Sequence, residues 1–265
     1  MQFEEAGFES ALVYDGQRIL IGQTDAYTML TGKRHENDAV WNELQLDFVN
    51  VEGIPVSFLF RLFDTGLAFR YVLPGNETVS YTLVRELTSF QLPPDGIKWI
   101  HPYDTLAPWA PAYETFYENG IAIGTPSDPG KNGWAFPALF HDDEYWLLIT
   151  EAGMLEQYVG MHLTDRPDGG NYTLRLPEEG EAEGRCGAYP TIQLPFSSPW
   201  RVIIASNRLN DIVESNLVFD VSEPSILDDT GWIRPGRAAW SSSPVTHPGR
   251  MWASWRGTTP EAATT

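Results

Sequence analysis

Three things are scarce in this 265-residue chain, and each scarcity excludes something. Lysine occurs only at Lys33, Lys98 and Lys131, within 17 basic against 36 acidic residues. The net charge of −19 argues against nucleic acid, whose phosphates need clustered Lys and Arg, and against anionic membrane surfaces. An acidic, lysine-poor composition suits a high-salt or extracellular setting, and the arginine bias of a GC-rich genome produces it equally. Cysteine occurs once, at Cys186, so no disulfide framework exists and the compartment is left open. Long apolar runs are missing: none approaches the roughly 20 residues of a membrane span. The opening Met-Gln-Phe-Glu-Glu has neither the basic nor the apolar region of an export signal, so the chain reads as soluble.

Aromatic residues are plentiful, with 10 Trp, 11 Tyr and 13 Phe. Burying a third of those rings contributes tens of kcal/mol at roughly 25 cal/mol per Å², so a substantial core is expected. The dominant apolar period is two. Leu44, Leu46 and Phe48 alternate with Gln45 and Asp47 across Glu43–Val49. Val56–Phe63 and Leu67–Leu73 flank Asp64-Thr65-Gly66 and read as a β-hairpin with a glycine suited to positive φ. Tyr145–Thr150, Tyr172–Leu176, Thr191–Phe196 and Trp200–Ser206 are further expected strands. Phe58, Phe60, Phe69, Tyr71, Leu147 and Ile149 should lie inside. Helix is expected only over Arg208–Phe219, where Leu209, Ile212, Val213 and Leu217 share a face. The pattern predicts an all-β protein of two large packed antiparallel sheets with few short helices. One domain is expected over 1–240. Residues 241–265 lose apolar periodicity and read as a tail or linker.

Motifs for catalysis are missing. No Gly-x-Ser-x-Gly elbow, His-Glu-x-x-His, Cys-x-x-Cys or phosphate loop occurs, and His35, His101, His141, His162 and His247 show no ligand spacing. Glu114 and Glu151 stand out among the acids because each adjoins aromatic or apolar residues, where an unpaired charge is costly. An ordinary hydrogen-bonded glutamate is the competing reading for both.

Six segments, in order, resemble the amino-terminal domain of glycoside hydrolase family 97. The most specific is the hairpin Phe60 to Tyr71. The others are Trp109 to Tyr117, Leu148-Ile149-Thr150-Glu151-Ala152, Tyr158-Val159-Gly160-Met161, Pro199 to Ile203 and Trp232 to Arg237. Asn42-Glu43-Leu44 precedes the hairpin, and together they span about 40 to 240. The resemblance implies a galactose mutarotase-like β-super-sandwich preceding a catalytic (β/α)₈ barrel. It also implies activity on α-glucosides or α-galactosides and secretion or residence in the periplasm. Acid and nucleophile belong to the barrel, so no catalytic residue is expected here. Family sequences usually carry further strands before the point where this chain begins, and the barrel that should follow Trp240 is not in the sequence. The chain is therefore read as a piece of a larger enzyme.

Glu151 matches the glutamate with which the family's sandwich helps bind a calcium shared with barrel glutamates. With the barrel absent, the chain should bind calcium weakly. Glu151 should then lie at a strand end on an open face near Trp109, Tyr113 and Tyr117, with Glu114 also close to carbohydrate. Glu151→Ala should barely change stability. A Glu151 buried and paired to an arginine, such as Arg61 or Arg70, would instead be structural. Two other readings remain. One is a stand-alone carbohydrate-binding module, which would stack sugar rings on exposed tryptophan or tyrosine faces and is favoured by a row of exposed tryptophans. The other is a mutarotase-like epimerase, which needs His101 or His141 to converge with Glu114 or Glu151.

Overall fold

β-Branched and aromatic residues alternating with polar ones give strands wherever one face can be buried. The computed structural model describes residues 1–233 except 9, 77, 107–114, 155–156 and 185–186. Its first strands are β1 (Gln2–Phe3), β2 (Val13–Thr28), β3 (Glu36–Val49), β4 (Pro55–Phe63) and β5 (Gly66–Leu73). There follow β6 (Ser80–Arg85), β7 (Ser89–Gln91), β8 (Ile97–Asp104), β9 (Glu118–Ala122), β10 (Lys131–His141) and β11 (Trp146–Ala152). The last are β12 (His162–Leu163), β13 (Asn171–Arg175), β14 (Thr191–Gln193), β15 (Phe196–Ser197) and β16 (Trp200–Ser206). Two short helices, α1 (Leu209–Glu214) and α2 (Leu217–Asp220), close the described part.

All pairings among the described strands are antiparallel. One sheet of 13 strands runs β2-β3-β4-β5-β16-β11-β10-β12-β13-β7, with β8, β9 and β15 attached beside it. The second sheet, β1-β6-β14, has three strands. The expectation of two large sheets is thus corrected: the layers are unequal, and this decides which apolar residues are covered.

Side-chain parity assigns the two faces of the large sheet. Trp200, Val202 and Ile204 of β16 join Leu59, Ala68 and Ala152 in a cluster capped by Ile212, Leu217 and Val221 of the helical segment. The alternate residues face the small sheet. There Val56, Leu73, Ile149, Phe140 and Tyr172 pack with Phe3, Tyr81, Leu83 and Ile192. Ile149 is buried as expected, and Phe69, Tyr71 and Leu147 are half-buried against this core. Phe58 and Phe60 are only half-buried and pack on the rings of Tyr71 and Phe69.

The hairpin β4–β5 forms in the expected register, with Phe60 opposite Phe69 and Phe63 opposite Gly66. Gly66 is needed for close approach: an added Cβ would strike the carbonyl oxygen of Ile203 on β16. Gly66→Ala should therefore lower stability by about 1–3 kcal/mol, read as a smaller urea midpoint. An unchanged midpoint would show that β5 and β16 can part there without loss. The segment expected as Thr191–Phe196 divides into β14, in the small sheet, and β15, on β5. The expected single helix breaks at Ser215, whose backbone is extended at φ −60°, ψ 135°.

Candidate functional site

β11 and β16 pair so that Glu151 stands directly opposite Arg201. Both side chains point between the sheets, since their neighbours Ala152, Trp200 and Val202 belong to the opposite face. Arg201 is fully buried, which is tolerable only if its charge and all its donors are engaged. Its Nε donates to Glu86 Oε1 at 2.9 Å and Nη2 to Glu86 Oε2 at 2.5 Å, a bidentate fork. Its Nη1 donates to Glu151 Oε1. Glu86 follows β6, so the cluster ties the two layers together.

The remaining lone pairs are used as well. Tyr158 donates to Glu86 Oε2 at 2.5 Å, Thr88 donates to Glu86 Oε1 at 2.7 Å, and the Tyr71 hydroxyl bonds Thr88 at 2.7 Å. The Met161 amide donates to Glu151 Oε2 at 3.0 Å. Burial pushes the Glu86 carboxyl up, but the charge and hydrogen bonds of Arg201 outweigh it and leave the group below its ordinary value. For Glu151 burial wins over Arg201, and the carboxyl lies above its ordinary value.

Glu151 does lie near a strand end, but the expectation of an unpaired ligand on an open face is overturned. Its side chain is 11% exposed and paired to an arginine. The partner is Arg201 because Arg61 and Arg70 project from the opposite face. There both stack on Trp200, at 4.9 and 4.3 Å, and Arg61 also pairs with Glu43 at 3.1 Å. Calcium needs six to eight oxygens. Here both Glu151 oxygens are engaged and Glu86 is sealed beneath Arg201 and Tyr158. Among the described residues no group of three or more His, Cys, Asp or Glu could hold a metal. Within this chain the arginine pairing gives Glu151 a structural part as the partner of Arg201. Millimolar calcium should leave the melting temperature unchanged; a rise abolished by Glu151→Gln would restore the ligand role.

The stability expectation changes too. Glu151→Ala removes the acceptor for Arg201 Nη1 and the Met161 amide, leaving two buried donors without it, and should cost about 1–3 kcal/mol, measurable by urea denaturation. A loss within error would mean that Glu86 alone satisfies Arg201.

Trp109, Tyr113 and Glu114 lie outside the described residues, as does the tail 241–265. Tyr117 is exposed and packs edge-on against His101 of β8, separated from β11 by β10. Among the described residues neither histidine meets Glu151, and the epimerase pairings with Glu114 lie outside the described residues. His141 and Trp146 pair at one end of the β10–β11 ladder, five residues from Glu151, or about 17 Å along a strand. His101 bonds the carbonyl of Thr115 at 2.9 Å. The tryptophan platform is not found either: Trp134 and Trp200 are buried, and among the described residues only Trp232 is largely exposed, at 70%.

One feature escaped sequence reasoning. Opposite partners Ile19–Leu44, Leu44–Phe60, Phe60–Phe69, Phe69–Arg201 and Arg201–Glu151 form one row across five strand pairs. The row begins in the ion cluster and emerges beyond the small sheet as an open apolar strip. Ile19 is 55% and Leu62 57% exposed there, around a depression also lined by Leu44, Phe60 and Leu67. Alternation exposed the apolar faces to view, but only the register brings them into line.

Unequal sheets, a buried ion cluster and an exposed apolar strip along the large sheet define an all-β sandwich. The Glycosyl-hydrolase 97 N-terminal family model matches residues 11–224, and the chain belongs to that family. A "Probable retaining alpha-galactosidase" of Streptomyces bingchenggensis (strain BCW-1) is 27% identical over 217 residues, 82% of this chain and 31% of that protein. The "Retaining alpha-galactosidase" of Bacteroides thetaiotaomicron is 25% identical over 200 residues, 68% of this chain and 30% of that protein. A β-arabinopyranosidase crystal structure superposes with a TM-score of 0.79 at 29% identity, covering 84% of this chain and 36% of that one. This chain therefore spans about a third of the length of these relatives.

Proposed function

We propose that the chain serves as the accessory sandwich of a glycoside hydrolase acting on α-galactosides, and that it docks a catalytic domain through the strip Ile19–Leu44–Phe60–Leu62–Leu67. The uncovered strip carries this reading. Contiguous apolar surface on the inner face of a sheet marks a contact awaiting cover, and relatives about three times as long have the chain to provide it. The ion cluster at the other end of the row fixes β11 and β16 against the small sheet and so holds the strip in shape. Hydrolysis belongs to the docked domain. The chain alone should release no galactose from a nitrophenyl α-galactoside; turnover abolished by Glu151→Gln would place the chemistry here.

A chimaera tests docking. Exchanging this chain for the matching segment of the Streptomyces protein should give an active enzyme. Leu62→Asp in that chimaera should lower kcat/KM at least about tenfold, or 1.4 kcal/mol. The same change in the isolated chain should leave its melting temperature within a few degrees, because Leu62 is already exposed. A fully active Leu62→Asp chimaera would rule the strip out as the contact.

A further inference from the structure

A second concavity lies away from the strip, walled by the β12–β13 ladder on one side and the end of β6 on the other. Its volume is about 670 Å³, within the range of small-molecule sites. Thr164 and Asp165 line it after β12, Thr173 and Arg175 from β13, and Arg85 from β6, with Tyr189 closing one side. The Thr164 amide donates to the Thr173 carbonyl at 2.9 Å, so this wall is a rigid ladder. Asp165 lies 3.3 Å from Arg175, which reaches toward Glu178 at 3.9 Å, and these groups stay 36–42% exposed. Arg85 is exposed, and its guanidinium has no partner among the described residues. Tyr189 is 55% exposed and is the one aromatic ring in the lining.

We propose that this groove is a binding site for neutral saccharides of one or two rings. The chemistry selects that class by elimination. Among the described residues, Asp165, Glu178 and Glu179 outnumber Arg85 and Arg175 in the lining, which disfavours phosphate or an acidic sugar. The two arginines flank the carboxylates, which disfavours a polyamine, and the described acids form no metal-binding group. The polar walls exclude a lipid. A neutral sugar suits what is left: its hydroxyls both donate and accept, matching carboxylates, guanidinium groups and threonines together. Its C–H face can lie on the Tyr189 ring, whose face attracts positive C–H edges. This is a groove rather than the tryptophan platform discounted above. Glu86 is shared between its floor and the Arg201 cluster, so the groove's base is fixed by the same ion pairs.

Galactosides are the probes because of the proposed function, but binding is measured on the chain alone, so docking and saccharide binding fail separately. Isothermal titration of the full chain with galactose and melibiose should give dissociation constants on the order of millimolar. Tyr189→Ala and Arg85→Ala should each weaken binding at least about tenfold, equal to 1.4 kcal/mol, with circular dichroism unchanged. Tyr14→Ala, removing an exposed ring that packs on Phe48 elsewhere, should leave binding intact. Three results would overturn the assignment: no heat with either sugar, undiminished binding by Tyr189→Ala, or tighter binding of galacturonate or spermidine than of galactose.

Discussion

Replacing Arg201 by methionine should cost about 3–5 kcal/mol of folding stability, because it strands two carboxylates between the sheets. Methionine retains the length and the apolar stem, so packing loss is kept small and the effect reports the charge. Glu86, with no exposed side-chain surface, would have to be protonated or hydrated, and either opens the layer. Arg201→Met with Glu86→Gln should recover most of the loss, since a neutral amide can accept from one of the Tyr158 and Thr88 hydroxyls and donate to the other. Urea denaturation of the two single variants and the double variant gives the coupling directly. A loss below about 1 kcal/mol for Arg201→Met would mean that the cluster behaves like a surface ion pair, and the structural reading of Glu151 would go with it.

The same cluster sets the acid limb of stability, and its two carboxylates act in opposite directions. Glu86 has a folded pKa below its ordinary 4.5, so its contribution is complete above that value and is lost as pH falls through the folded one. Glu151 has a folded pKa above 4.5, so ionising it in the fold is penalised, and that penalty disappears as pH falls. On acidification Glu151 therefore takes up its proton first without unfolding the chain, and the cooperative loss follows when Glu86 is protonated. In Arg201→Met the Glu86 step should vanish.

How much of this was legible in the sequence depended on what each face of a strand touches. The hairpin from Phe60 to Tyr71 and the strand Trp200–Ser206 were readable because one face meets the helices and the other the small sheet, so the apolar positions recur. β2 was not read. Its 16 residues are exposed along most of their length, and Val13 and Ile19 share a sequence parity yet fall on opposite faces, because bulges interrupt the register near Gly16 and Gly22. β8 was missed for the opposite reason: Lys98, Ile100, His101, Pro102 and Tyr103 are buried in near-continuous sequence, so nothing alternates. Glu151 was singled out correctly as a carboxylate in an apolar setting. Its partner was not, because choosing Arg201 over Arg61 or Arg70 requires the cross-strand register, which fixes parity between strands 50 residues apart. The strip failed to appear for the same reason, since its members come from four separate strands.

Lys98 should make the domain more stable as pH rises from 6 to 9, by about 2–3 kcal/mol. The side chain is fully buried on β8, and among the described residues no carboxylate lies within ion-pairing distance. Its Nζ donates to the Thr125 carbonyl at 2.7 Å and to the Tyr172 hydroxyl at 3.0 Å, and lies 3.9 Å from the centre of the Trp134 ring. Burial lowers its pKa to about 7, with the more distant Glu118 offsetting only part of the shift. The unfolded chain holds the proton up to about 10.5, so between the two values the unfolded state binds more protons and raising the pH favours the fold. Below about 7 both states are charged and the burial penalty is fully present. Tyr27 and Tyr172 are pushed above their ordinary 10.0, so they lower stability only at higher pH and leave the window clear. Lys98→Met keeps the stem between Trp134 and Tyr172, removes the charge, and should be more stable than wild type at pH 6. The gap between the two proteins should narrow by about 2–3 kcal/mol between pH 6 and 9 and close only near 10.5, while the exposed Lys33→Met keeps the wild-type profile. Parallel profiles for wild type and Lys98→Met would show that Lys98 stays charged in the fold. A Lys98→Met that is less stable at pH 6 would show that the ring and carbonyl contacts stabilise the ammonium more than burial penalises it.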